Sequence, residues 1–120
     1  MLIAVTAKSS DSGGEVDPRF GRAPYFHLID TETGETTVVE NTQSLEAVQG
    51  AGIQAAETIV NRKAGAVLTG HCGPKAFQVL RAAGVQVIVG AEGKIDEAVE
   101  KFRSGEYRAA SSPDVESHWQ

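Results

Sequence analysis

One pattern occurs twice in this chain and limits its fold more than any other feature. Arg62-Lys63-Ala64-Gly65 runs into Ala66-Val67-Leu68-Thr69, and Arg81-Ala82-Ala83-Gly84 runs into Val85-Gln86-Val87-Ile88-Val89. Each time a glycine ends a helical stretch and releases a short apolar strand. Each strand is followed by another helical stretch, over Pro74 to Ala82 and then Lys94 to Phe102. Parallel neighbours cannot be joined by a tight turn, so two consecutive strand–helix units predict parallel strands with right-handed crossovers.

The remaining elements precede this repeat. Leu2 to Ala7 is a β-rich run that reads as a buried first strand, closed by the polar, flexible loop Lys8-Ser9-Ser10-Asp11-Ser12-Gly13-Gly14. Tyr25 to Asp30 and Glu35 to Glu40 flank Thr31-Glu32-Thr33-Gly34, the pattern of a β-hairpin. From Gly50 to Arg62, Ile53, Ala56, Ile59 and Val60 recur at helical spacing. Leu45 and Val48 extend the same stripe, but Gly50 and Gly52 would each cost about 1 kcal/mol relative to Ala inside a helix, so the boundary falls near Gly50.

The order βββαβαβα predicts one three-layer α/β domain over residues 1–103, built on a mixed five-stranded sheet in which only strand two runs backwards. From Ser104 the composition turns polar. Ser111-Ser112-Pro113-Asp114 and the run on to His118-Trp119-Gln120 read as a flexible tail, so that little of 104–120 packs. With strand two reversed, strands one, three, four and five deliver their carboxyl ends to one edge. Loops 8–19, 41–50, 70–73 and 90–94 then converge there, which is where open α/β sheets bind ligands.

Charge and cysteine usage narrow the function. A formal net charge of −5 argues against non-specific binding to nucleic acid or anionic lipid. One cysteine, Cys72, makes no intrachain disulfide, and with only His27, His71 and His118 it cannot complete a finger-type zinc site. The opening Met1-Leu2-Ile3-Ala4-Val5 is too short for a secretory signal, and no run approaches the roughly 18 apolar residues of a membrane span. The expectation is a cytoplasmic protein with a reduced thiol.

Gly70-His71-Cys72-Gly73-Pro74-Lys75 joins the fourth strand to its helix, with proline suited to the first helical position. A helix N-terminus attracts anions and lowers a thiol's pKa, so Cys72 is placed as a soft-metal ligand; alternatively it is a small apolar filler. His71 is either a second ligand or a solvated loop residue. No acidic residue falls between Glu57 and Glu92, where Arg62, Lys63, Lys75 and Arg81 lie. Three of these suit helix C-termini, and Lys75 alone is near the turn. In Asp17-Pro18-Arg19-Phe20-Gly21-Arg22, Arg19 and Arg22 either face an anionic ligand or pair with Asp17, Glu15 or a distant carboxylate. Phe20 reads as core, and so does His27, which shares a strand face with Tyr25 and Ile29.

Enzyme signatures are missing from the sequence. There is no G-x-G-x-x-G after strand one, no G-x-x-x-x-G-K-[ST] and no G-x-S-x-G. The apolar strands carry no carboxylates for a two-metal nuclease, and position 78, where a cysteine phosphatase needs arginine, is Gln. The expectation is a protein that binds rather than catalyses.

Taken together, the opening strand, Asp17-Pro18-Arg19-Phe20-Gly21-Arg22-Ala23 with Tyr25-Phe26, Gln49-Gly50-Ala51-Gly52 and Thr69-Gly70-His71-Cys72-Gly73-Pro74-Lys75-Ala76-Phe77 resemble the dinitrogenase iron-molybdenum cofactor biosynthesis family over about residues 1–103. The family includes nitrogenase cofactor carriers and the orange-protein branch, which holds a molybdenum-copper sulfide cluster. The resemblance implies a ribonuclease H-like α/β/α fold with strand order 3-2-1-4-5. It also implies a crevice for a metal–sulfur cluster of molybdenum with iron or copper, at Arg19, Phe20, Gly21, Arg22, Gly70, His71, Cys72, Gly73 and Lys75, with Cys72 and His71 as metal ligands. Nitrogenase-side members place a histidine before the Phe-Gly pair where this chain has Arg19, and arginine suits non-covalent holding of a thiomolybdate-type anion. The implied partners are P-loop ATPases or cofactor-assembly proteins. Two other readings stand beside this one: a regulatory module that binds only a partner protein, and a redox role for Cys72.

Overall fold

The computed structural model describes residues 1–41 and 50–113. Five strands, β1 (Leu2–Ala7), β2 (Tyr25–Asp30), β3 (Thr36–Glu40), β4 (Ala66–Leu68) and β5 (Gln86–Ile88), form one sheet in the order β3-β2-β1-β4-β5. Among the described residues, helices α1 (Ala51–Asn61), α2 (Pro74–Ala82) and α3 (Ile95–Arg103) follow β3, β4 and β5 respectively. β2 is antiparallel to both β1 and β3, while β4 is parallel to β1 and β5. The reversed second strand and the two parallel units are as the sequence predicts. None of the described helices is long and apolar enough to cross a membrane.

Alternation along the strands sorts the core into two layers. Ala4, Phe26, Leu28, Val67 and Val87 meet Ala55, Ala56 and Ile59 of α1 and Ala76, Phe77 and Leu80 of α2. On the opposite face Ile3, Val5, Ala66, Leu68 and Ile88 meet Ile95 and Ala98 of α3. β4 is buried throughout, and an unbroken apolar run is what a strand covered on both faces requires.

Element boundaries differ from the sequence reading where backbone groups are claimed elsewhere. Val85 donates its N–H to Leu80 O of the preceding helix, and Gly90 and Ala91 donate to the Gly70 and Thr69 carbonyls, so β5 keeps only its central three residues. Gly50 sits at the N-cap of α1 with φ 79°, a left-handed conformation that favours glycine. Leu45, Val48 and Gln49 lie outside the described residues. The described part of the polar segment after Ser104 is largely exposed, with a few contacts: Ala110 N donates to Val87 O at 2.7 Å, Arg81 Nη1 donates to Ser111 O at 3.2 Å, and Tyr107 lies half-buried against the α3 layer. Its small residues and single tyrosine hide these contacts from a reading by polarity. Residues 114–120 lie outside the described residues.

Candidate functional site

The carboxyl ends of β1, β4 and β5 open onto loops that are stitched together by backbone hydrogen bonds. Val16 N donates to Gly93 O at 2.9 Å, Glu15 bridges Lys94, and Ile95 N donates to Gly14 O. Residues 8–19 are thus fastened to 90–95. Beneath them a buried hydroxyl pair ties the strand ends: Thr6 Oγ1 lies 2.7 Å from Asp17 O and 2.9 Å from Thr69 Oγ1. His27, buried on β2, places Nε2 2.8 Å from Ser9 O, so the histidine on the β2 face is structural and holds the loop. Of the four predicted loops, 8–19, 70–73 and 90–94 meet; 41–50 lies almost wholly outside the described residues.

Arg19 and His71, assigned to one site from the sequence, are paired in a parallel bridge. His71 N donates to Pro18 O at 2.7 Å and Phe20 N donates to His71 O at 3.3 Å. Gly70 makes this approach possible. A Cβ at that position would stand 2.6 Å from Pro18 Cα and 2.9 Å from Pro18 O, closer than real side-chain carbons come to backbone. Glycine is therefore needed here for proximity.

Asp17 orients Arg19. Asp17 is buried, and its carboxylate accepts from Arg19 N at 2.9 Å, from Nε at 3.3 Å and from Nη2 at 3.3 Å. The first bond closes the Asp-x-Arg turn, a local signal present in the sequence. The Arg19 side chain stays half exposed, with the Nη1 amine and one Nη2 proton uncommitted among the described residues. The pairing read from sequence as an alternative to ligand binding is thus present, and it leaves part of the guanidinium available.

α2 begins at Pro74 after Gly73, an N-cap residue with no side chain to cap the helix, and its first turn holds no acidic residue. No carboxylate in its own first turn offsets the dipole. Lys75 and Arg22 are both exposed, and neither forms an ion pair among the described residues. Gly21 and Gly73 are buried, and Phe20 is fully buried, stacked on Phe26 with ring centroids 6.2 Å apart. Phe20 therefore contributes packing and a backbone N–H to this edge.

Cys72 is fully buried in the layer beneath α1 and α2, its Sγ 3.7 Å from Gly73 O, whereas His71 is half-buried. Among the described residues no three of His, Cys, Asp and Glu stand close enough to share a metal ion. The chemistry this edge offers is cationic and amide-rich: guanidinium, ammonium and helix N–H groups around a turn whose thiol faces inward.

Comparison with known proteins gives this arrangement a context. The structure of the apo form of the orange protein from Desulfovibrio gigas superposes with a TM-score of 0.92, at 43% identity over 95% of this chain and 96% of that one. The solution structure of a Thermotoga protein named as a NifB protein gives a TM-score of 0.82 at 31% identity, covering 96% of this chain and 97% of that one. An uncharacterized protein of Methanocaldococcus jannaschii is 31% identical over 93 residues, 75% of this chain and 78% of its own length. The model of the dinitrogenase iron-molybdenum cofactor family matches residues 1–105, which takes in every described strand and helix and both loops of the Arg19–His71 bridge. On that extent of match, the chain belongs to the dinitrogenase iron-molybdenum cofactor family.

Proposed function

We propose that this protein is a non-catalytic carrier that holds an anionic metal–sulfur cluster, of molybdenum with iron or copper, at the carboxyl edge of its sheet. One observation carries the reading: the Arg19–His71 bridge joins the loop whose guanidinium buried Asp17 orients to the turn that leads into α2. Guanidinium and amide N–H groups suit the sulfide face of a thiometallate, which accepts hydrogen bonds and carries negative charge. Arg22 and Lys75 add charge, while Gly21, Gly70 and Gly73 let backbone come close. Family membership and the orange-protein likeness support the same cargo class. We read the architecture as a ribonuclease H-like sheet used for binding, in a cytoplasmic protein whose partners are cofactor-assembly proteins, a P-loop ATPase among them.

Direct ligation by Cys72 and His71 is the finer form of the proposal. It requires the 70–73 turn to open, because the thiol is fully buried. The test is anaerobic titration with tetrathiomolybdate and copper(I), followed by absorption and native mass spectrometry. Saturable uptake is expected, weakened by Arg19→Ala more at low salt than at high salt, since the charge interaction is screened. Loss of uptake in Cys72→Ser assigns ligation to the thiol. A mass that stays that of the bare chain under every condition overturns the carrier reading.

A further inference from the structure

The outer edge of β3 carries a row of open backbone groups whose phase can be read from the hairpin. Asp30 N donates to Glu35 O at 2.9 Å, and Asn41 N donates to Pro24 O at 2.9 Å. In an antiparallel ladder, hydrogen-bonded pairs alternate with non-bonded ones. The register pairs Leu28 with Thr37 and Phe26 with Val39, so those pairs are bonded and the intervening ones are not. Thr36, Val38 and Glu40 therefore point their N–H and C=O groups away from β2. Nothing among the described residues pairs with them, since β3 ends the sheet.

Sheet edges of this kind are usually blunted by lysine, proline, a bulge or a covering loop. β3 reads Thr-Thr-Val-Val-Glu, pairs with β2 in unbroken register and leaves Val38 39% exposed. Its surroundings are acidic at both ends, with Asp30, Glu32 and Glu35 at the hairpin and Glu40 at the far end. No Lys or Arg stands anywhere between Arg22 and Arg62, a stretch holding six Asp and Glu. That one-sided charge decides the occupant. Antiparallel pairing with a second copy, centred on Val38, sets Thr36 opposite Glu40 and brings Glu40 of each copy to the acidic hairpin of the other, which like-charge repulsion opposes.

We propose that this edge docks an extended segment of a partner protein, added as a further strand, with β-branched residues at its centre and Lys or Arg at both ends. Main-chain hydrogen bonds to Thr36, Val38 and Glu40 supply the pairing, and Glu35 and Glu40 select the charge.

The test titrates the full ¹⁵N-labelled chain with the peptide Lys-Thr-Val-Thr-Val-Thr-Lys and with its Glu-ended counterpart. The Lys-ended peptide is expected to shift the Thr36, Val38 and Glu40 amides saturably, and the Glu-ended one to bind at least about tenfold more weakly. Val38→Pro removes an outward N–H without touching the β2 ladder, a position where an edge strand tolerates proline, and is expected to lower affinity about tenfold with other resonances in place. Glu35→Gln with Glu40→Gln provides a second variant should the proline disturb folding; it is expected to abolish the salt dependence of binding. Equal binding of both peptides, shifts centred elsewhere, undiminished binding to Val38→Pro, or association of the chain with itself through β3 would each overturn the proposal.

Discussion

Substituting Gly70 by alanine tests whether the two loops of the candidate site are held together by proximity alone. The new Cβ meets Pro18 Cα at 2.6 Å, Pro18 Cβ at 2.8 Å and Pro18 O at 2.9 Å, atoms of a backbone that Thr6, His71 and Asp17 hold in place. Relief requires the loops to separate, which strains or breaks the His71 N to Pro18 O and Phe20 N to His71 O bonds. Overpacking costs about 1–3 kcal/mol and each lost hydrogen bond about 0.5–1.5 kcal/mol. The reduced freedom of the unfolded chain returns about 0.4–1 kcal/mol. The net expectation is a loss of about 2–4 kcal/mol, read as a shift in urea midpoint, with faster amide exchange at His71 and Phe20. Gly84→Ala is the control: φ is 79° there and a Cβ meets nothing within 4 Å, so only backbone strain of about 1–2 kcal/mol applies. A Gly70→Ala loss below about 1 kcal/mol with His71 protection intact would refute the steric reasoning.

Other expectations are as specific. Cys72, fully buried, should react with an aromatic disulfide reagent at least about 100-fold more slowly in the folded protein than in urea, because access requires local opening; fast reaction would show an accessible thiol. Tyr107 buries its hydroxyl without a hydrogen-bond partner among the described residues, so Tyr107→Phe should leave stability unchanged or raise it by about 1 kcal/mol in urea unfolding; a loss of that size would reveal a partner. N–H groups of Glu32 and Thr33 hold the Asp30 carboxyl below its ordinary value of 3.8. A lowered folded pKa stabilises above the unfolded value and is lost as pH falls through the folded one, so the hairpin should weaken below about pH 4. A carboxyl NMR titration midpoint for Asp30 at or above 3.8 would contradict this.

The parts of the fold legible in the sequence were those set by local chemistry. β1, β2 and α2 begin and end where apolar runs meet Lys8, Pro24, Thr31 and the Gly73-Pro74 pair. The converging loops followed from strand direction, which the hairpin and the two strand–helix units settle. What stayed hidden depended on distance along the chain. Gly70 looks like a turn glycine until Pro18 is seen against it, and Thr6 and Thr69 look like ordinary strand residues until their hydroxyls are seen hydrogen-bonded beneath Asp17. Cys72 shows the limit differently: its place beside a helix start suggests reactivity, and only the packing around it turns the sulfur inward.

The charge segregation has a consequence beyond any single contact. Strand order puts the base-free β2–β3 half and the acid-free β4–α2–β5 half on opposite sides of β1, so the molecule carries an electric dipole lying across its sheet. In dilute salt an approaching ion exerts a torque on the protein before touching it. Anions meet the positive flank first and polycations the negative one, so a net-acidic protein of this build greets two oppositely charged visitors with different faces. Raising the ionic strength removes that orientation while leaving both faces intact.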